Sequence, residues 1–187
     1  MRWHHRPVPN SVTARDDEQE RRPGAVLFVY TWDLVLAILA LFGALAPFAG
    51  GVQTGSGKTA SLPLAAQVIE AVSSASYAAT LIIVAALLTR KRAWVRQTQI
   101  GTLATAIGLA AVSVLVGAVV GNGVDAVGLI VTLIFVLLDA LAIVIMTERR
   151  VVGFYSQTAS VPFYVWATLA LWVAGSVMTI VIDAIAQ

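Results

Sequence analysis

Long runs of apolar residues, separated by short polar segments, make up most of the chain after its first 25 positions. Five of these runs are long enough to cross about 30 Å of hydrocarbon at a helical rise of about 1.5 Å per residue. Because hydrocarbon offers no water to backbone N–H and C=O groups, each run is predicted to be a helix. The five predicted spans lie near Val26–Phe48, Leu64–Leu88, Thr98–Val120, Ala126–Thr147 and Phe163–Ile185.

The segments between the spans are short and polar, and they include Ala49–Pro63, Thr89–Gln97 and Glu148–Pro162. The link Gly121–Asp125 is so short that the third and fourth spans are predicted to form a tight antiparallel hairpin. Residues 1–24 mix both charges with few apolar groups, so they are predicted to form a disordered or loosely helical cytoplasmic tail. Residues 25–187 then form a single transmembrane bundle.

Composition supports a lipid environment for this chain. Of its 187 residues, 59% are hydrophobic and 12% are charged, with a mean hydropathy of +0.86. A soluble domain carries about a quarter charged residues, so this chain has more apolar surface than its own core could bury. It contains no cysteine, which excludes disulfides, thiolate metal sites and a cysteine nucleophile.

Lysine and arginine are distributed unevenly between the two sides that the spans define. Eleven lie in the tail, the second link and the fourth link, whereas Lys58 alone lies on the other side. Because basic residues accumulate on the cytoplasmic side, we predict an all-α integral membrane protein with its N-terminus inside and its C-terminus outside. The compact multi-pass design and the Ala/Val/Gly-rich composition favour a bacterial inner membrane.

The segment GVQTGSGKTA, residues 51–60, contains the end of the phosphate-binding pattern G-x-x-x-x-G-K-[ST]. Gly57, Lys58 and Thr59 supply its last positions, but Val52 stands where the first glycine is required. That pattern works after a buried strand and before a helix, whereas this segment follows a membrane helix on the predicted outer side. We therefore interpret it as a flexible turn without nucleotide binding.

Four carboxylates fall inside the predicted spans, and no Lys, Arg or His accompanies them there. Asp183 is predicted to lie solvated at the outer interface, which leaves three carboxylates at membrane depth. Charged groups at membrane depth are costly and indicate function. Each carboxylate must therefore carry a proton, hold a cation or pair with another subunit. Asp139 lies about 12 Å inside the basic flank by the helical rise. The others are Asp33 and Glu70.

Asp33 allows two interpretations. Counted from Ala25 it lies as deep as Asp139, but Tyr30 and Trp32 favour an interface just before it, where its side chain would extend to the headgroups. The stripe of Ala37, Ala40 and Ala44 on the same helix face favours burial against a neighbouring helix. We hypothesise that Asp33 and Asp139, on helices of opposite direction, face each other and share a proton.

Glu70 belongs to a polar stripe with Gln67, Ser74 and Tyr77, which recur at helical spacing on the outer half of the second span. One interpretation is a water-filled vestibule that ends at a carboxylate. The other is hydrogen bonding between helices.

Four glycines are spaced along the third predicted span and just after its end. Gly101, Gly108, Gly117 and Gly121 are predicted to permit close helix packing within the chain, and the GxxxG pair Gly117–Gly121 leaves dimerisation as an alternative.

Catalytic patterns are lacking in the sequence. The only histidines, His4 and His5, lie in the tail, which argues against a serine–histidine pair or bis-histidine haem ligation among the spans. No metal-ligand spacing occurs, and topology explains the basic residues without nucleic acid. We expect no enzyme activity and no cofactor.

Two functions remain open for a chain of this kind. The first is an accessory, scaffold or assembly subunit that contacts the lipid bilayer and other membrane-protein subunits or itself. The alternative is a small proton- or cation-coupled transporter that uses the intramembrane carboxylates.

Overall fold

The computed structural model describes residues 24–49, 52–53, 59–60, 63–120 and 126–185. This part of the chain is helical apart from two short strands. The elements are α1 Gly24–Leu45, a 3₁₀ turn Ala46–Phe48, β1 Val52–Gln53, β2 Thr59–Ala60, α2 Leu64–Leu87, α3 Ala93–Val120, α4 Ala126–Thr147, α5 Arg149–Phe154 and α6 Phe163–Ile185. Five helices, α1, α2, α3, α4 and α6, are long and apolar enough to cross a membrane, which confirms their predicted number.

One predicted boundary is wrong, and one predicted link contains a helix. Helix α3 begins at Ala93, five residues before the predicted start at Thr98, so Arg96 lies within the helix and not in a link. The fourth link contains the short helix α5. The start of α3 is held in place because the Ala93 N–H donates to the Gln157 carbonyl at 2.9 Å. Hydropathy does not show the first turn of α3 or the helix α5, because polar side chains interrupt the apolar pattern there while the backbone remains helical.

The long helices pack side by side in a closed ring. Around it, α1 contacts α2, α2 contacts α6, α6 contacts α3, α3 contacts α4, and α4 contacts α1. Side-chain contacts show the directions of the helices. Trp32 and Arg96, near the starts of α1 and α3, both bond to residues in the second half of α4. The starts of α1 and α3 and the end of α4 therefore meet at one end of the ring.

We call this end the basic end, because the links beside it carry Arg90, Lys91, Arg92, Arg149 and Arg150. The link after α5 is tied to the link before α3. The Tyr155 hydroxyl donates to the Leu88 carbonyl at 2.7 Å, and the Gln157 N–H donates to the Lys91 carbonyl at 2.9 Å. These bonds satisfy backbone groups that the ends of α2 and α3 leave without partners.

A close helix contact joins α2 and α6. A Cβ added at Gly175 would lie 2.7 Å from the Ser73 Cβ, so only glycine fits there. Beside it, the Ser73 and Ser176 hydroxyl oxygens lie 3.1 Å apart in a hydrogen bond. Small residues that allow close approach, together with a hydroxyl bond, are how helices associate where the surroundings are apolar.

The first link contains a small antiparallel pairing, in which Val52 is opposite Ala60 and Gln53 is opposite Thr59. Thr59 therefore lies in a strand, whereas the phosphate-binding pattern requires this residue at the start of a helix. Gly57 and Lys58 lie outside the described residues, as does the predicted tail up to residue 23.

Candidate functional site

Asp33 lies in the interior of the ring. Its side chain is fully buried, with 0% exposure, so the interpretation that it extends to the headgroups is wrong. Its Oδ1 accepts a hydrogen bond of 2.6 Å from the Gln99 Nε2 on α3. The short distance indicates a strong contact, because a bond between an amide N–H and a carboxylate is strengthened by the charge.

Asp139 is also buried, with 5% exposure. Its Oδ1 accepts a hydrogen bond of 2.8 Å from the Trp32 Nε1 on α1. The Trp32 ring also packs on Phe135, one turn before Asp139 on α4, with ring centroids 5.6 Å apart. Trp32 is thus a partner for a buried acid, while its predicted place at the membrane interface stays a prediction.

The two carboxylates lie close enough for their charges to interact, as predicted for helices of opposite direction. They share no direct hydrogen bond, however. Among the described residues Asp33 Oδ2 has no hydrogen-bond partner, and each Oδ1 accepts from a different donor. Gln99 and Trp32 each bond to one oxygen of one carboxylate, so the hypothesis that Asp33 and Asp139 share a proton stays a prediction. We call Trp32, Asp33, Gln99 and Asp139 the carboxylate cluster.

Three buried oxygen atoms in and beside this cluster have no hydrogen-bond partner within the described chain: Asp33 Oδ2, Gln99 Oε1 and Thr102 Oγ1. Gln99 and Thr102 lie one turn apart on the same face of α3, and both are buried, with 0% and 1% exposure. A buried oxygen without a partner costs about 1–3 kcal/mol. Atoms of this kind in a native fold indicate a site where a proton, a water molecule or a cation binds.

The positive group nearest to the cluster along α3 is Arg96, one turn before Gln99. Its Nη1 donates to the Met146 carbonyl at 3.3 Å, while its Nε is buried without a partner. Within the described residues, neither Asp33 nor Asp139 forms an ion pair with it. Arg96 therefore lies between the cluster and the basic end of the ring, bonded to backbone at the end of α4.

The predicted polar stripe on α2 reaches this cluster. Tyr77, its innermost member, is close enough to Asp33 and Asp139 for their charges to act on its hydroxyl. Its ring stacks on Trp172 of α6, with centroids 4.5 Å apart. Ser74, one turn before it, lies against Gly43 of α1, where an added Cβ would be 3.6 Å from the Ser74 Oγ.

Gln67 and Glu70 continue the same face of α2 toward its start, and both side chains are half-buried. Part of α2 thus serves interhelical contact, since Ser73 bonds to Ser176 and Ser74 packs on Gly43. Tyr77, by contrast, belongs to the surroundings of the carboxylates.

Some of the residues predicted for helix packing are buried between helices, and others have open space beside them. Ala37 is buried, and Ala40 and Ala44 are half-buried on the face of Asp33. A Cβ at Gly101, Gly108 or Gly117 would meet no atom within 4 Å, so the described chain does not use these glycines for its own packing. Gly121 lies outside the described residues. Close packing occurs instead at Gly175, which the sequence analysis did not select.

The sequence analysis also did not select Gln99 and Thr102 as site residues. The predicted third span began at Thr98, which placed Gln99 at the membrane boundary, where a polar side chain needs no explanation. The actual start at Ala93 places it about 9 Å inside the helix by the helical rise. A usable signal was present, because an amide within an apolar segment requires a hydrogen-bond partner.

No protein family model, curated protein or solved structure matches this chain. Its function has to be inferred from the geometry of the carboxylate cluster and of the helices around it.

Proposed function

We propose that this protein is a small proton-coupled membrane protein, in which Asp33 and Asp139 bind the transported or coupling proton. The observation that carries this proposal is a pair of buried carboxylates on antiparallel helices without an ion-pair partner among the described residues. Two charges of the same sign at this depth repel each other and have lost their hydration, so binding a proton relieves both costs.

The arrangement of donors supports a site that changes its protonation state. Each carboxylate keeps one oxygen bonded to a fixed N–H, from Gln99 or Trp32. At Asp33 the second oxygen remains open to a proton. Because the Trp32 indole N–H cannot accept a hydrogen bond, it holds Asp139 in place in either protonation state. Proton binding and release then require little rearrangement of the helices.

Polar groups extend from the carboxylate cluster in both directions along the helix axes. Tyr77, Glu70 and Gln67 lie along α2 away from the basic end, and Arg96 lies on α3 toward it. This order supports a path from one side of the membrane through the carboxylates to the other. In our proposal, α2 forms the outer part of the path and the positive charge of Arg96 limits cation leakage at the basic end.

Proton flux in reconstituted vesicles tests this proposal. The purified chain is placed in liposomes that contain a pH-sensitive dye, and an imposed pH gradient is followed. We expect faster dissipation than in empty liposomes, and at least about tenfold slower flux for Asp33→Asn and Asp139→Asn, since an amide keeps the shape but binds no proton.

Glu148→Gln provides the matched control, because this carboxylate is exposed at the end of α4 and lies outside the cluster. Its flux should equal that of the unaltered protein. Gel filtration in detergent checks that every variant remains folded. Flux by the unaltered chain that does not exceed that of empty liposomes would exclude the proposal.

An accessory or assembly role is the second candidate, and the outer face of α3 favours it. Gly108 and Gly117 have open space beside them, and Leu115 and Val119 are strongly exposed, the latter at 84%. A neighbouring helix could approach this face closely, since no side chain stands at the glycines.

Purification in mild detergent tests this second role. A subunit should bring down another membrane protein in a fixed ratio, whereas a protein that works alone or as copies of itself should not. Stoichiometric recovery of a partner together with absent proton flux would favour the accessory role over the proton-coupled one.

A further inference from the structure

A groove lies between α3 and α6, and Thr102, one turn after Gln99 on α3, is among the residues that line it. Its volume is about 470 Å³, which falls within the range of small-molecule sites. Val161, Leu169, Ala170 and Val173 supply apolar surface, and Gly101 of α3 leaves space along it. The apolar part of this lining fits an acyl chain, and the polar residues Gln97, Thr98 and Thr105 line the rest of the groove.

Two polar groups that line the groove, Trp94 Nε1 and Thr102 Oγ1, have no hydrogen-bond partner within the described chain, and Trp94 lies nearer the basic end. The Trp94 side chain is 3% exposed, and its Nε1 has no hydrogen-bond acceptor within the described chain. An indole N–H only donates, and a buried one normally finds an acceptor. Trp94 lies in the first turn of α3, at the level where ester carbonyls of a lipid in the adjoining leaflet would lie.

Positive charge stands beside the same end of the groove. Arg90, Lys91 and Arg92 directly precede α3, and the backbone bonds between Lys91, Ala93 and Gln157 hold their link in place. Lys91 Nζ lies 5.6 Å from the centroid of the Phe154 ring. A phosphate at this position would meet basic side chains, whereas a neutral zwitterionic headgroup would gain less from them.

We propose that this groove binds one anionic phospholipid from the leaflet at the basic end. The acyl chain lies along Gly101 and Val173, an ester carbonyl accepts from Trp94 Nε1, and the headgroup phosphate is held near Lys91 and Arg92. The proposal does not depend on proton coupling.

Native mass spectrometry of the detergent-purified protein tests this site. The probes are dioleoyl phosphatidylglycerol and dioleoyl phosphatidylcholine, which share acyl chains and differ in headgroup charge. We expect one retained phosphatidylglycerol per chain, and at least about fivefold weaker retention of phosphatidylcholine. Equal retention of the two lipids would overturn the choice of an anionic ligand.

Gly101→Leu fills the groove from within, and Gly117→Leu on the same helix is its control. A Cβ at either glycine meets no atom within 4 Å, so neither position is crowded by the described chain, and of the two only Gly101 lines the groove. Gel filtration in detergent checks that both variants remain folded. We expect Gly101→Leu to weaken phosphatidylglycerol retention about tenfold and Gly117→Leu to leave it unchanged. Retention by Gly101→Leu at the level of the unaltered chain would show that the lipid binds elsewhere.

Trp94→Phe removes the donor and keeps an aromatic ring in the groove. The loss of one hydrogen bond should weaken phosphatidylglycerol retention about threefold to tenfold. Unchanged retention in this variant would contradict the role of the Trp94 N–H, even if Gly101→Leu behaves as expected.

Discussion

Asp33 and Asp139 each depend on a single donor from a different helix, and neither donor is a charged group. Gln99 and Trp32 direct N–H groups at the carboxylates, at 2.6 and 2.8 Å. A buried acceptor that loses its only donor retains the full cost of its lost hydration. At the scale of single residues, these two bonds therefore link the stability of the ring to the protonation of Asp33 and Asp139.

Trp32→Phe separates the hydrogen bond from the ring packing. Phenylalanine can keep the contact with Phe135 but leaves Asp139 Oδ1 without its donor. We expect a loss of about 1–3 kcal/mol of unfolding free energy, measured by thermal or denaturant unfolding in detergent.

Trp94→Phe is the matched control for that prediction. Trp94 is also buried, but its N–H has no partner within the described chain. The same change of side chain should therefore cost little in lipid-free detergent. Equal destabilisation by the two variants would mean that lost ring volume, and not the bond to Asp139, determines the effect.

At the scale of elements, α2 and α6 approach each other most closely where Gly175 lies against Ser73. Glycine weakens a helix in isolation, since it loses more conformational freedom than other residues. Here that cost is offset because the absence of a side chain lets two helices touch along their backbones and bond through Ser73 and Ser176.

Gly175→Ala tests the importance of this contact. The added methyl group would lie 2.7 Å from the Ser73 Cβ, so the helices must separate, and we expect destabilisation of about 1–3 kcal/mol. Gly108→Ala is the control, because its methyl group meets no atom within 4 Å. It should leave stability unchanged or raise it slightly through helix propensity. Thermal unfolding of both variants in one detergent makes the comparison, and a neutral Gly175→Ala would refute the close contact.

At the scale of the whole molecule, the ring has a charged end and an apolar middle. The links at the basic end carry Arg90, Lys91, Arg92, Arg149 and Arg150. Links on the cytoplasmic side of a membrane are enriched in lysine and arginine, so we predict that this end faces the cytoplasm. The carboxylate cluster would then lie in the inner half of the membrane, and the phospholipid groove would open to the inner leaflet.

Introduced cysteines can test this orientation without background labelling, because the chain contains none of its own. The substitution Ser156→Cys introduces a cysteine at the basic end, and Ser56→Cys introduces one in the first link. In intact cells, an impermeant thiol reagent should modify the cysteine at position 56 and reach position 156 only after permeabilisation. The reverse pattern would place the basic end outside and invert the proposed path of the proton.

Much of the fold could be predicted from the sequence. The number of long helices and most of their ends follow from hydropathy, because an apolar segment of about 20 residues has few other stable states. The start of α3 was misplaced, since Arg96 and Gln97 interrupt the apolar pattern while the helix continues from Ala93. Asp33 and Asp139 could be selected because an acid within an apolar run is costly wherever it lies.

The partners of these acids could not be predicted in the same way. Gln99 is 66 positions from Asp33, and Trp32 is 107 positions from Asp139, so their contacts depend on how the helices are arranged around the ring. Periodicity shows which face of a helix a residue occupies but not which neighbour that face meets. For the same reason, Gly108 and Gly117 were predicted to be buried within the chain but are open, and Gly175 was overlooked.

The sequence by itself determined that this chain forms five helices suited to lipid, and which of its acids would be costly to bury. Both depend on local composition, which acts through the transfer free energy of each segment. Only the tertiary structure decided which donors meet Asp33 and Asp139, and that a groove forms beside Trp94. These features arise where surfaces of different helices meet, and the free energy of such contacts depends on shapes that no single segment contains.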